Sequence, residues 1–302
     1  MIFVFCCDSE DPSQPEQVYQ REVEAARACG AEVLLVDHDA LVRGETSRAA
    51  RRVAPRDQPE SAVYRGWMVT PDQYADLYEE LLRLGVRLIN DPAAYRSCHY
   101  LPDSYPAIEG QTPQSVWIPA TEGFETCTIM ERLRVFGDRP LILKDYVKSV
   151  KHAWDEACFI PSAADAEHVA RVVRGFLEWR GDDLNEGLVF REFVDLVSVG
   201  VHPRSGMPLT EEYRVVVLAG RILISFPYWE AESYQDATPP PEDWLLAIAE
   251  GVGSRFFTMD VARLQSGGWI VVELGDAQVA GIPEHADAGA FIGGLAERVP
   301  QT

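Results

Sequence analysis

The sequence predicts an α/β domain at the N-terminus, followed by an α+β region built on an antiparallel sheet. Two observations carry this. As far as residue 110, short β-rich apolar runs alternate with segments of helical spacing, the signature of βαβ units and a parallel sheet. Beyond it, paired strands meet at Ala219-Gly220 and Ser266-Gly267, and helices are segregated from hairpins.

Taken in order, residues 2–7 read as a buried strand that ends at acids and Pro12. Residues 15–29 carry Val18, Val23, Ala26 and Cys29 at helical spacing and stop at Gly30, and 32–37 repeat the strand pattern. A third repetition follows: a strand at 62–65, a helix over 71–84 closed by Gly85, and a strand at 86–89. Residues 90–120 are proline-rich with little periodicity and read as a connector. A helix near 123–135 precedes a strand at 140–144, a lysine-bearing loop, a short strand at 157–160 and an amphipathic helix over 163–179. The run Gly187 to Val194 is a strand; hairpins 211–218/221–226 and 255–263/268–274 come next, with outer helices at 240–252 and 286–297. No internal repeat is visible.

Composition excludes several classes. The chain has 302 residues, 47% hydrophobic and 25% charged, so it can bury a sizeable core and is not disordered. A formal charge of −21 argues against nucleic acid, which needs a basic footprint. No apolar run approaches the roughly 18 residues of a membrane span. The N-terminus has no basic stretch and meets acids at once, unlike a signal peptide. Six cysteines and six histidines show neither CxxC nor HxxxH spacing, which argues against zinc and a disulfide framework. A cytoplasmic protein is expected.

Of the 27 basic residues only Lys144, Lys148 and Lys151 are lysine, all within eight consecutive positions. A site that needs a compact ammonium and not a planar fork explains that confinement; a charged surface turn would also produce it. In the second hairpin, a two-residue turn at Ser266-Gly267 sets Asp260 opposite Glu273, Val261 opposite Val272 and Met259 opposite Leu274. Opposed carboxylates repel, and a hard divalent cation would offset that, with Asp276 a further acid just beyond the strand. A solvated acidic face has the same pattern. In the first hairpin Glu212, Arg214 and Val216 share one face; Tyr213, Val215 and Val217 share the other. Clustered ammonium groups, opposed acids and an apolar slot make up the inventory of phosphoryl transfer. No GxxxxGK[ST] or GxGxxG motif occurs.

The ordered segments Pro140-Leu-Ile-Leu-Lys144, Glu186-Gly-Leu-Val-Phe-Arg-Glu-Phe193, Glu212-Tyr-Arg-Val-Val-Val-Leu-Ala-Gly220, and Asp260 with Val272-Glu-Leu-Gly-Asp276 resemble the ATP-grasp superfamily. The similarity is to its clade defined by one arginine and two lysines, whose members are inferred to form amides. Tyr64-Arg65-Gly66-Trp67 and Leu88-Ile89-Asn90 resemble the domain that precedes the grasp. The resemblance implies a pre-ATP-grasp-like domain at 1–110, a lid subdomain at 111–188, and a C-terminal subdomain with the metal site at 189–302. It implies ATP and Mg²⁺ as cofactors and a carboxylate plus an amine, small molecules or peptides, as substrates, with homodimerisation left open. Lys144 and Lys148 would contact phosphate and Arg191, Glu192 and Phe193 would form the adenine hinge. Glu212 would bind ribose, Arg214 and Lys151 would serve catalysis, and Asp260, Glu273 and Asp276 would hold the metal. Two departures stand out: Gly275 occupies the last place of the usual Glu-x-Asn, and 145–156 lacks the glycine-rich lid. The resemblance allows an ADP-forming carboxylate–amine ligase, a small-molecule kinase or a non-catalytic nucleotide binder. Residues 195–210 and the N-terminal domain would shape the substrate site.

Overall fold

The computed structural model describes residues 1–201, 208–229, 234 and 237–299. Strands β1 (Ile2–Cys6), β2 (Glu32–Val36), β3 (Glu60–Arg65) and β4 (Val86–Leu88) form a parallel sheet in the order β2-β1-β3-β4. All five residues of β1 are buried, as a central strand covered on both faces requires. Helix Pro71–Arg83 begins in a capping box between Thr70 and Gln73, with Pro71 in the first turn, and buries Tyr74, Leu77 and Leu81.

The expected connector is instead structured. Helices Pro92–His99 and Leu101–Ile108 and strand β5 (Ser115–Pro119) occupy it. Pro92 and Pro102 sit in first turns here, and Pro106 lies inside the second helix. Pro92 follows Asp91, whose carboxylate accepts from the Ala94 amide at 2.8 Å. Two short helices, His38–Val42 and Thr46–Ala49, are also absent from the sequence reading.

Strands β5, β6 (Leu141–Asp145), β7 (Phe159–Ile160) and β8 (Gly187–Glu192) make an antiparallel sheet ordered β5-β8-β6-β7. The expected boundary at 188/189 therefore falls inside β8. Helix Ala166–Arg180 buries Val169, Val172, Val173 and Phe176 with this sheet in one core. A short ribbon, β9 (Ser198–Val201) with β10 (Pro208–Thr210), follows, and the expected substrate segment 195–210 includes 202–207, which lie outside the described residues.

The last sheet is antiparallel: β11 (Glu212–Leu218), β12 (Arg221–Pro227), β13 (Phe256–Arg263) and β14 (Trp269–Asp276), ordered β12-β11-β13-β14. Both its faces are covered. Tyr213, Val215, Val217, Phe257, Met259 and Leu274 share a core with Leu101, Ile108, Leu245 and Ile248. Val216, Leu218 and Phe256 join the core of the parallel sheet, together with Phe291, Ile292 and Leu295 of helix Ala288–Arg298. Among the described residues no helix is long and apolar enough to cross a membrane.

Candidate active site

Between the β5–β8 and β11–β14 sheets lies a cavity of about 920 Å³. Its charged floor is a row across three strands. Arg214 of β11 is the register partner of Asp260 in β13, which is the partner of Glu273 in β14. The Arg214 guanidinium forks onto Asp260, Nε to Oδ1 at 2.8 Å and Nη2 to Oδ2 at 2.7 Å. Its Nη1 donates to the Gly281 carbonyl at 2.9 Å, and the guanidinium carbon sits 5.0 Å from the Tyr228 ring centroid. At the other end, Lys144 reaches over from β6 and places Nζ 3.0 Å from Glu273 Oε1.

The row runs cation, anion, anion, cation, so the flanking cations offset the carboxylate repulsion. Burial raises the Asp260 pKa, an effect Arg214 only partly cancels. Burial would also raise Glu273, but Lys144, with Lys151 and Arg191, outweighs it and the net shift is downward. The expected pairing of Asp260 with Glu273 is present, by a different route from the expected turn. The loop closes with Leu264 opposite Gly268, and Val261 pairs with Val271, not Val272. A bulge in β14, where Val272 is the extra residue between the partners of Asp260 and Val261, restores the expected register at Glu273.

Asp145 builds the lysine loop. Its fully buried carboxylate accepts from the amides of Val147 (2.7 Å) and Lys148 (2.5 Å) and from Asn185 Nδ2 (2.9 Å), and it lies 3.0 Å from Arg180 Nε. The chain after Lys144 is thus folded tightly, and Lys148 and Lys151 line the same cavity. Burial disfavours the Lys151 ammonium, but Glu212 and Glu273, with Tyr228 and Cys158, more than compensate and its pKa is raised. Glu212 accepts from the Thr210 hydroxyl, and its own pKa is raised by burial. Trp154 and Phe159 stack at 5.5 Å, and Phe193 meets the Phe159 ring edge-on at 5.3 Å, forming an aromatic wall.

Several expected roles shift. Asp276 does not join the row: it pairs with Phe257, on the face opposite Glu273, and is fully buried. There it accepts from Asn90 Nδ2 at 2.6 Å and from the Gln278 amide at 2.8 Å, and burial lifts its pKa to about 6. Arg191 spends its donors on the carbonyls of Val272 (2.5 Å) and Val271 (3.0 Å) and on the Thr112 hydroxyl, and so pins the bulged stretch of β14. Burial lowers its pKa to about 10. Glu192 pairs with Arg139 at 2.8 Å. The Phe193 amide donates to the Pro140 carbonyl at 2.9 Å, which leaves its ring to face the cavity.

The donor set fits the expected ligands. Asp260 and Glu273 offer oxygens suited to a hard cation, and Gly275 offers no side chain. Among the described residues no three of His, Cys, Asp and Glu converge. Two protein ligands suit Mg²⁺, which completes its shell with phosphate and water. Three ammonium groups and an aromatic wall suit a nucleotide. His99, Asp145, Trp154, Phe159 and Tyr228 were not anticipated. Trp154 and Phe159 lie just beyond the lysine cluster, an aromatic signal that was readable, whereas His99 has no sequence signal at all.

A family model for an ATP-grasp domain, family 3 of the clade named for one arginine and two lysines, matches residues 135–295. The chain belongs to that family. The matched span holds every residue of the charged row and the lysine loop. The ATP-grasp ligase PsnB, at 14% identity and TM-score 0.54, is solved with a minimal precursor, Mg and ADP. No curated protein matches the chain. Among solved structures it is similar to a RimK domain ATP-grasp protein from Sphaerobacter thermophilus, with TM-score 0.58, 15% identity, 97% of this chain and 99% of that one covered. It is also similar to the D-cycloserine synthetase DcsG, with TM-score 0.56, 17% identity, and 99% and 100% covered. The ATP-grasp ligase PsnB, complexed with precursor peptide PsnA2 and AMPPNP, has TM-score 0.55 and 14% identity, with 98% and 96% covered. These likenesses extend the ATP-grasp fold over nearly the whole chain.

His99 yields a stability prediction. It is buried beside Tyr95 and Tyr100 at the cavity wall, and burial lowers its pKa to about 4, with Lys148 and Lys144 adding to the effect and Glu273 opposing it. A depressed pKa means stability that is whole above the ordinary value of about 6.5 and is lost as pH falls towards 4. His99→Phe removes that proton linkage. Its melting temperature is expected to fall less than that of wild type between pH 6.5 and 4, measured by thermal scans across that window. Parallel curves would refute this.

Proposed function

We propose that this chain is an ADP-forming ATP-dependent ligase that joins a carboxylate to an amine through an acyl phosphate. The observation that carries the reading is the row Arg214–Asp260–Glu273–Lys144 beside the lysine loop. When bound, ATP with Mg²⁺ supplies the phosphoryl group that activates the carboxylate. Lys144, Lys148 and Lys151 present ammonium donors to phosphate oxygens in one cavity. Asp260 and Glu273 hold the metal, and Trp154, Phe159 and Phe193 pack against the base. Among the described residues three of the five N–H donors of Arg214 are engaged, which leaves two for the phosphoryl oxygens of the acyl phosphate as it forms on the carboxylate. Glu212 accepts from ribose hydroxyls.

Substrates of both sizes have parallels. PsnB and the macrocyclase MdnC are solved with precursor peptides, and DcsG is a D-cycloserine synthetase. The deciding experiment screens amino acids and short peptides for ADP release. Release that needs both a carboxylate and an amine, with an amide product, is the expected result. A stable phosphorylated product without amide would make the chain a kinase, and no release with any pair would favour a binding role.

A further inference from the structure

The segment after β14 connects the N-terminal domain to the charged row. Arg65, at the end of β3, is 1% exposed and forks onto Glu22, Nε to Oε2 at 2.7 Å and Nη2 to Oε1 at 2.9 Å. Its remaining nitrogen, Nη1, donates to the carbonyls of Ala277 and Ala280, the latter at 2.9 Å. The Phe291 ring lies under the guanidinium, 5.0 Å from centroid to carbon. Gln278 between those carbonyls is held as well. Its backbone carbonyl accepts from the Gly66 amide at 3.3 Å, and its side chain donates to the Tyr74 hydroxyl at 2.6 Å. One residue past Ala280, the Gly281 carbonyl accepts from Arg214 Nη1.

We infer that the Glu22–Arg65 pair is a positioning device for Arg214: it fixes residues 277–281 so that the Gly281 carbonyl sets the orientation of that guanidinium. A planar fork suits this place because one side chain meets both oxygens of a carboxylate and two carbonyls, four acceptors for which an ammonium has only three donors. Asp260 holds one edge of the Arg214 guanidinium and Gly281 another, so the plane is fixed by two supports from different parts of the chain. The inference rests on Arg214 meeting the transferring phosphoryl group, as in the proposed function.

The test separates nucleotide binding from that contact. The probes are MgADP alone and MgADP with aluminium fluoride, a mimic of the planar phosphoryl group. Arg65→Lys is expected to keep the MgADP affinity and to lose about tenfold of the tightening that aluminium fluoride gives, the scale of one charge-assisted contact. Arg214→Lys should lose the same, and the double variant no more than either. Insertion of one glycine after Ala280 leaves Arg65 and Glu22 untouched, should reproduce the loss, and stands in for Arg65→Lys should that variant not fold. Full tightening in folded Arg65→Lys, or losses that multiply with those of Arg214→Lys, overturns the inference, as does a parallel loss of MgADP affinity. If Arg214→Lys leaves the tightening intact, the reading of Arg214 falls on its own. A crystal structure of the Arg65→Lys or insertion variant then decides the inference: a Gly281 carbonyl still on Arg214 Nη1 overturns it, and a displaced one sustains it.

Discussion

Lys144→Met is expected to cut ATP-dependent ADP release by about 10²–10³-fold, the cost of removing one preorganised donor from a site of phosphoryl transfer. Lys144 is 7% exposed at the end of β6, so the Met stem fills the same space and the loss reports on the ammonium, not on packing. The substitution also leaves the Glu273 carboxylate without its 3.0 Å partner. No other lysine can replace it, since Lys148 and Lys151 extend from the loop that Asp145 folds back. Lys144→Arg should fail in large part as well, because a guanidinium is wider than an ammonium and its donors point in fixed directions. Release rates and nucleotide affinity, measured for both variants, check this. Near wild-type values in both would remove Lys144 from the site.

Much of the fold was legible because its strands obey simple parity. The alternation of Glu212 and Arg214 with Tyr213 and Val215 fixes which residues face the cavity, and the structure keeps it. The same rule sets Asp276 on the other face of the sheet from Glu273. Three residues separate it from Glu273, and β14 runs through it, so the two side chains leave opposite faces. The error lay in ending the strand too early. The second hairpin shows the converse: a two-residue turn was expected, the loop is longer, and the register at Asp260 survives through a bulge held by Arg191. Bulges have no local sequence signature here, because the residues that stabilise this one are 80 positions away or more on the other sheet. The helices at 92–108 were missed for another reason. Their signal is capping chemistry at Asp91 and Pro92 rather than apolar periodicity, and prolines were counted as breakers. His99 and the Arg65–Glu22 pair depend wholly on tertiary placement, so no window of sequence contains them.

Glu273→Gln is expected to abolish the cooperation between Mg²⁺ and ATP in stabilising the fold. In wild type, Mg²⁺ with ATP should raise the melting temperature more than the sum of the two separate shifts. On the proposed reading Asp260 and Glu273 would hold the metal and Lys144 would contact the phosphates, so each ligand would strengthen the hold on the other. A ligand present at a hundredfold its Kd stabilises the folded state by about 2.7 kcal/mol, enough to read in a thermal scan. Glutamine keeps the shape of the side chain and loses the charge a hard cation requires. The fold should survive, because Glu273 points away from the core face that carries Leu274 and Met259. Asp276→Ala should behave in the opposite way. It takes the acceptor from the Gln278 backbone amide and one of two from Asn90 Nδ2, which keeps the Phe256 carbonyl, at a cost on the order of 1–3 kcal/mol for a buried unsatisfied group, and on the proposed reading it removes no metal ligand. Its melting temperature without ligand should drop while the Mg²⁺–ATP cooperation persists. Thermal scans of wild type and both variants, with no ligand, Mg²⁺, ATP or both, distinguish the two acids. Undiminished cooperation in Glu273→Gln would make that carboxylate a solvated surface group, and loss of cooperation in a folded Asp276→Ala would return that residue to the metal site.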